Sequence, residues 1–337
     1  MTVVNRGWVL ENPLSGDDFE GSLVYQDLAM PELPDGAVLV RTLYISLDPA
    51  NRGWMTMPTY IPQVPIGATM WGFVLGRVER SSLPGFAPGD LVSGFGAWAD
   101  YCVLTAGMTS RLPDLGGLPL YAAQSLLGLS GGAAYVGVVD IAKPRPGEVF
   151  VVSGAAGSVG SLAGQIAKIH GCTVIGIAGS AEKCRWLTEA LGFDHAIDYQ
   201  RADVGASLAG ICPNGINIYF DNVGGPLTNT VASRMALHGR MVLCGSMAKF
   251  ANPGPELDLG LILLNRVNIQ GFILIDHLDR LEEANAALAG WAAEGRLIHK
   301  ADIVDGLQNA LGAFRTLFTP GSPHTGKLLV RVDSAAY

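Results

Sequence analysis

Between Ser153 and Gly160 the chain reads Ser-Gly-Ala-Ala-Gly-Ser-Val-Gly, a run poor in side-chain bulk whose backbone N–H groups are free to face an anion. The apolar Val149 to Val152 before it has the composition of a fully buried parallel strand. After it, Val159, Leu162, Ile166 and Ile169 recur at helical spacing, with Gln165, Lys168 and His170 placed on other faces. Beyond Gly171 the β-branched run Thr173 to Ile177 supplies a second strand. Strand, glycine turn, helix and strand therefore follow in the order of a dinucleotide-binding βαβ unit. In the G-x-G-x-x-G pattern Ala155 takes the first glycine's place and still permits a tight turn. Gly157 allows close approach of a pyrophosphate, and Gly160 lets the helix pack on the strand. Gly154, Ala155, Gly157, Ser158, Val159 and Gly160 are thus candidate cofactor contacts; a purely structural αβ turn is the competing reading.

The residue that reads the adenosine ribose follows the second strand. An Asp or Glu there would bond the 2′-hydroxyl and repel a 2′-phosphate. This chain has Ile177-Ala178-Gly179-Ser180 instead, with Lys183 in the first turn of the next helix. Gly179, Ser180 and Lys183 therefore favour NADP(H), Lys183 pairing with the phosphate. Tyr199, after the third strand, is a second candidate contact. Against this stands Lys183 as an ordinary solvated helix residue.

Other chemistries find little support. No three Cys, His or carboxylate side chains stand at metal-ligand spacing, and the six histidines form no H-x-x-x-H or H-E-x-x-H pair, so no metal is expected. Ser153 and Ser158 lie inside the phosphate turn, and no G-x-S-x-G elbow occurs. Hydride transfer is the chemistry that remains. A formal charge of −8 without a Lys/Arg cluster argues against a nucleic-acid partner. Apolar residues make up 49%, yet no run of eighteen lacks charged or turn residues, so no membrane association is expected. The start MTVVNRGWVLENP has no basic region followed by an apolar core, which predicts a cytoplasmic protein. Five scattered cysteines, an odd number, read as reduced packing residues.

The elements that must hold this turn divide the 337 residues into two domains. Residues 1–125 are rich in Pro, Gly and short β-like runs, among them Leu23 to Tyr25, Ala37 to Leu47, Phe73 to Glu79 and Tyr101 to Leu104. They predict an irregular β domain, partly a barrel. Asp48-Pro49-Ala50-Asn51-Arg52-Gly53 reads as a loop at the end of a core strand. Ala122 to Ala142 lacks proline and predicts a helix into the second domain, residues 126–299. There the strand candidates His195 to Ile197, Ile216 to Phe220, Met241 to Cys244 and Ile269 to Ile275 alternate with helices such as Ser180 to Leu191 and Leu281 to Gly295. Such alternation predicts an α/β, doubly wound parallel sheet of Rossmann type. Residues 300–337 return to the first domain through a strand, Lys327 to Val332.

Four stretches together carry a family resemblance: Leu47-Asp48-Pro49-Ala50-Asn51-Arg52-Gly53-Trp54-Met55, the turn Ala155 to Gly160, Ala178 to Lys183, and Phe220-Asp221-Asn222-Val223-Gly224-Gly225. The chain resembles the zinc-independent medium-chain dehydrogenase/reductases. Within them it is similar to the leukotriene B4 12-hydroxydehydrogenase, prostaglandin reductase, plant double-bond reductase and curcumin reductase group, over nearly its whole length. The resemblance implies a GroES-like, partly open β-barrel beside the Rossmann domain. It further implies NADPH-dependent reduction of the C=C bond of a small hydrophobic enal or enone, with hydride delivered to the β-carbon, a stabilised enolate and a proton to the α-carbon. A homodimer through sheet edges, around Leu257 to Ile275, is also implied.

By motif position the resemblance places Asn222, Cys244, Ser246, Phe272, Ile273 and His324 near the cofactor. It places Tyr60, Met247 and Phe250 near the substrate, Tyr60 as candidate proton donor. The chain departs from its relatives at Phe250, where they commonly have Tyr, because a phenyl ring donates no hydrogen bond. Tyr60, a ribose hydroxyl with water, or a different substrate then compete to explain proton delivery. Ala133 stands where relatives often have Thr. Arg52 reads equally as a link between domains, a cofactor contact or a structural ion pair. Trp54, Met55, Met57, Trp71, Met247 and Phe250 are expected to line an apolar cleft between the domains. A quinone reductase and a non-catalytic NADPH-binding protein are the alternative readings.

Overall fold

The computed structural model describes residues 4–247 and 257–333. In chain order the strands are β1 (Asn5–Leu10), β2 (Leu23–Leu28), β3 (Ala37–Ser46), β4 (Trp71–Ser81), β5 (Leu91–Ala97), β6 (Tyr101–Thr105), β7 (Thr109–Arg111), β8 (Val149–Ser153), β9 (Thr173–Ala178), β10 (His195–Asp198), β11 (Ile216–Asp221), β12 (Met235–Leu243), β13 (Asn268–Gly271), β14 (Ala301–Asp305) and β15 (Lys327–Arg331). The chain divides into two units, 1–124 with 301–337, and 125–300.

In the first unit a sheet of order β14-β15-β3-β4-β5-β7 is joined by β6, which also pairs with β3. One edge of β3 is shared, Ala37–Arg41 with β6 and Tyr44–Ser46 with β15, and bulges at Leu39/Val40 and Thr42/Tyr44 interrupt its ladder with β4. Bulges bend a strand. Alternate residues of these strands, among them Val38, Val40, Val74, Val92, Leu104 and Val330, converge on one cluster around Trp54 and Trp98. The run expected as a loop after Ser46 is instead the helix Ala50–Thr56, whose Trp54 and Met55 plug that core at 1% and 0% exposure. They are core residues and not a pocket lining, because a helix fixes their direction inward.

In the second unit six parallel strands lie in the order β10-β9-β8-β11-β12-β13. From β8 the chain winds outward through β9 to β10, then returns to β11 and winds the other way, the doubly wound arrangement. Val151, Ile175, Tyr219 and Met241 share one buried cluster, so the apolar runs of the sequence are strands covered on both faces. Gln165, expected away from the core, is buried at 3% because its side chain bonds Ser161 and Ile298.

Three expected elements are shorter or broken. Ala122 to Ala142 has the length and hydropathy of a membrane span, with 67% of its apolar window buried inside the protein. It breaks at Gly128, whose φ of 74° only glycine adopts easily, before resuming as Leu129–Tyr135 and widening into a π-helical stretch Val136–Ala142. The helix expected over Ser180 to Leu191 likewise passes from Ala181–Arg185 into a π-helical Trp186–Ala190. β13 ends at Gly271, so Phe272 and Ile273 leave the sheet for the 3-10 segment Leu274–Arg280.

Candidate nucleotide site

Ser153 ends β8, and Gly154 turns the chain with a φ of 58°, in the left-handed region. The Ala155 N–H donates to Ile177 O of β9 at 3.0 Å and the Gly157 N–H to Gly154 O at 3.0 Å, which ties the turn down. The helix Ser158–Ile169 then begins with Gly157 at its N-cap, a residue with no side chain to satisfy the first N–H groups. Ser161 N–H is the first to reach back, to Gly157 O at 3.0 Å. Beside these open donors the Ser158 hydroxyl is buried with no hydrogen-bond partner among the described residues. Helix N–H groups and an orphaned hydroxyl fit a phosphate, which would accept from both. A Cβ on Gly160 would fall 2.4 Å from Gly154 O, so the helix start sits against the turn.

At the end of β9, Ser180 Oγ accepts the Lys183 N–H at 3.2 Å and caps the helix Ala181–Arg185. Lys183 is half-buried. Tyr199 folds back, its N–H on Ala178 O at 3.1 Å, and its phenol covers Gly179, where a Cβ would meet phenol atoms at 3.0 to 3.2 Å. Gly179, Ser180, Lys183 and Tyr199 thus form one local group.

Across the sheet, β8 and β11 are joined through side chains. Ser153 Oγ donates to Asp221 Oδ1 at 2.8 Å and accepts the Asn222 N–H at 2.9 Å, while Asn222 Nδ2 donates to Ser153 O at 2.8 Å. Asp221, 1% exposed, also accepts the Val223 and Gly224 N–H groups at 2.9 Å and the Thr228 hydroxyl at 2.6 Å. Its carbonyl receives the N–H groups of Cys244 and Gly245 at 2.9 and 3.1 Å, linking the end of β12. Burial, and then the charge of Asp221, push the Cys244 thiol up to about 12, so it is neutral. Ser246 Oγ stands 3.1 Å from the position of a Cβ on Gly224. The Phe272 N–H donates to Leu243 O at 3.3 Å, and Ile273 is 37% exposed. Met247 is half-buried; Phe250 lies outside the described residues. Asp221 lies in the stretch Phe220 to Gly225 but is none of the candidate site residues of the sequence; its signal there is an acid closing the mostly apolar strand Ile216–Asp221.

Tyr60, His324 and Arg52 belong to the other unit. Tyr60 sits in a proline-flanked loop, 47% exposed, its ring edge-on to Trp54 at 6.4 Å. Burial and then the charge of Asp48 raise its phenol above the usual tyrosine value. His324 Nδ1 lies 2.6 Å from Ser322 Oγ. Arg52 pairs with Asp17 at 2.7 Å and lies over the rings of Phe19 and Phe318, at 5.5 and 5.0 Å. Of its three readings the structural one describes these contacts. Ala133 is half-buried on the helix Leu129–Tyr135. Among the described residues no group of three or more His, Cys, Asp or Glu is placed to hold a metal ion.

Residues 6–112 match the family described as N-terminal domain of oxidoreductase, and residues 158–290 the family described as zinc-binding dehydrogenase. The chain is 38% identical to the NADPH-dependent curcumin reductase of Escherichia coli over 97% of both chains. It is 32% identical to the NADP-dependent 2-alkenal reductase of Nicotiana tabacum over 98% of both. The crystal structure of CurA from Vibrio vulnificus in complex with NADPH superimposes with a TM-score of 0.89 at 35% identity, covering 98% of this chain and 99% of that one. With phosphate turn, strand order and relatives in agreement, the chain belongs to the medium-chain dehydrogenase/reductase family, in its zinc-independent reductase group.

Proposed function

We propose that the chain uses NADPH to reduce the carbon–carbon double bond of hydrophobic α,β-unsaturated aldehydes and ketones. The observation that carries the cofactor choice is the end of β9, where Gly179 and Ser180 bring no carboxylate and Lys183 follows in a Ser180-capped turn. Lys183, Ser180 and Tyr199 would hold the 2′-phosphate, and Gly154 to Gly160 the pyrophosphate. We assign Asn222, Cys244, Ser246, Phe272, Ile273 and His324 to the nicotinamide side. When bound, NADPH supplies the hydride that reaches the β-carbon of the acceptor. Tyr60 then donates to the developing enolate oxygen: raised above its ordinary value by burial and Asp48, its phenol keeps its proton at neutral pH. Met247 is assigned to the substrate's apolar contacts, as is Phe250.

The test is NADPH oxidation with an enone, its saturated analogue and a quinone, with the product identified by mass spectrometry. Turnover of the enone to the saturated ketone, with deuterium from labelled NADPH at the β-carbon, is the expected result. Turnover of the quinone alone would assign a quinone reductase, and NADPH binding without turnover a non-catalytic protein.

The reading extends to a homodimer. Leu259, Leu263 and Leu264 are 72%, 75% and 72% exposed on the helix Leu259–Asn265, which precedes β13, the edge strand of the parallel sheet. An exposed apolar helix beside an open strand edge suits a second copy of this chain.

A further inference from the structure

Asp221 is an acidic group taken out of water with no counter-ion among the described residues. Its carboxylate is 1% exposed and accepts hydrogen bonds from Ser153, Thr228 and two backbone N–H groups. It is the last residue of β11, and its hydrogen-bond partner Ser153 is the last of β8. Those are the two neighbouring strands between which the chain changes its winding direction. In open α/β sheets a ligand lies outside the carboxyl ends of the strands at this switch point. The ribose-reading group follows β9, on one side of the switch; the second half of the dinucleotide falls on the side of β11 and β12. Asp221 stands at that side, its carbonyl receiving the N–H groups of Cys244 and Gly245 at the end of β12.

We propose that Asp221 biases the nucleotide site toward the oxidised cofactor, its buried charge favouring the cationic nicotinamide over the neutral reduced ring and so favouring hydride donation. The inference rests on the NADP(H) reading above. The charge balance is simple: loss of a hydride takes two electrons and one hydrogen nucleus from the neutral dihydronicotinamide and leaves the ring with one positive charge. The acceptor takes the hydride on its β-carbon and then a proton. A fixed negative charge on the nicotinamide's side of the switch point would lower the free energy of the product side of that step.

The experiment compares dissociation constants of NADP+ and NADPH for the parent protein and Asp221→Asn. The amide keeps the hydrogen bonds, Oδ1 taking the Ser153, Val223 and Gly224 donors and Nδ2 donating to Thr228 Oγ1, while the charge is removed. The expected result is a fall in the preference for NADP+ over NADPH of about three- to tenfold. For a two-electron couple a tenfold change is about 30 mV. Equal weakening of both cofactors, or none, would overturn the proposal and leave Asp221 a structural clamp. Thr228→Val keeps the charge and strips one donor from it, so it carries the test if Asp221→Asn does not fold. Its preference should move toward NADP+, and a move toward NADPH, or no change, would overturn the proposal. Binding of neither cofactor by the parent protein would instead remove the NADP(H) reading itself.

Discussion

At the end of β8 the turn assigned to the cofactor offers backbone groups, whereas the proposed proton donor, Tyr60, is one side chain in a proline-flanked loop. The phosphate turn is tied to β9 by the Ala155 N–H, closed by Gly157 on Gly154 O, and pinned to β11 through Ser153, Asp221 and Asn222. Its geometry is set by main-chain hydrogen bonds of the turn together with side-chain bonds that join the ends of β8 and β11. Tyr60 has 47% of its surface exposed and is oriented by edge contact with Trp54. On the proposed reading, cofactor binding is thus built into the sheet, while proton donation is assigned to a replaceable side chain of the other unit. The same fold can keep its cofactor and change its substrate by altering loops.

Substitutions in the two regions should therefore fail differently. The largest effect is expected at Gly160→Val: its Cβ would lie 2.4 Å from a main-chain oxygen, so the turn must open. Overpacking of this kind destabilises by about 1–3 kcal/mol. Nucleotide affinity should fall by about a hundredfold or more, measured by calorimetry, and near-normal affinity would break the backbone side of the comparison. Next, Lys183→Ala should weaken NADPH by about 10- to 100-fold, the worth of one charge-assisted hydrogen bond, with NADH little changed. Equal weakening of the two would remove the phosphate assignment.

Tyr60→Phe should leave the NADPH dissociation constant unchanged and slow enone reduction about tenfold or more. With Tyr60 as the donor, its phenol raised by burial and then by Asp48, the parent rate should be flat through neutral pH and fall only above the ordinary tyrosine range. A Tyr60→Phe variant with the parent's rate would hand proton delivery to water or the ribose hydroxyl. Leu263→Glu puts a charge on the exposed helix beside β13 and should convert a dimer to monomer in light scattering.

The smallest effect concerns Asp194. Burial pushes its carboxyl upward, but hydrogen bonds from Lys168 at 2.9 Å and from the Val174 N–H at 2.7 Å outweigh it and leave the pKa lowered. A depressed folded value means stability that is present above the unfolded carboxylate pKa and lost as pH falls through the folded one. Lys168 and Asp194 are about one-third exposed, so solvent screening limits the loss to about 0.5 kcal/mol. Urea melts of Asp194→Asn and the parent should therefore converge in acid and differ near neutrality.

Periodicity and turn chemistry were legible where local rules and tertiary demands agree. The run from Val149 to Ile177 is strand, turn, helix and strand because its apolar spacing changes from continuous to helical and back, with Gly154 and Gly171 at the breaks. Elements misjudged from sequence lie where packing overrides pattern. Ala50–Thr56 carries Gly53 and follows Pro49, which reads as a loop, yet burial of Trp54 and Met55 makes it a helix. Gln165 looks solvent-facing by type, but its amide satisfies the N–H and carbonyl of Ile298, a partner remote in sequence.

The sequence by itself determined the βαβ unit, the missing carboxylate after β9 and the presence of Lys183, because these depend on residue type and short-range spacing. The tertiary structure alone decided that Asp221 is a buried carboxylate bridging β8 and β11, with no ion pair among the described residues, and that Trp54 and Met55 are core. Those facts depend on which strands become neighbours, and Ser153 and Asp221 stand 68 residues apart. No local pattern in either segment encodes that pairing; the winding of the sheet does.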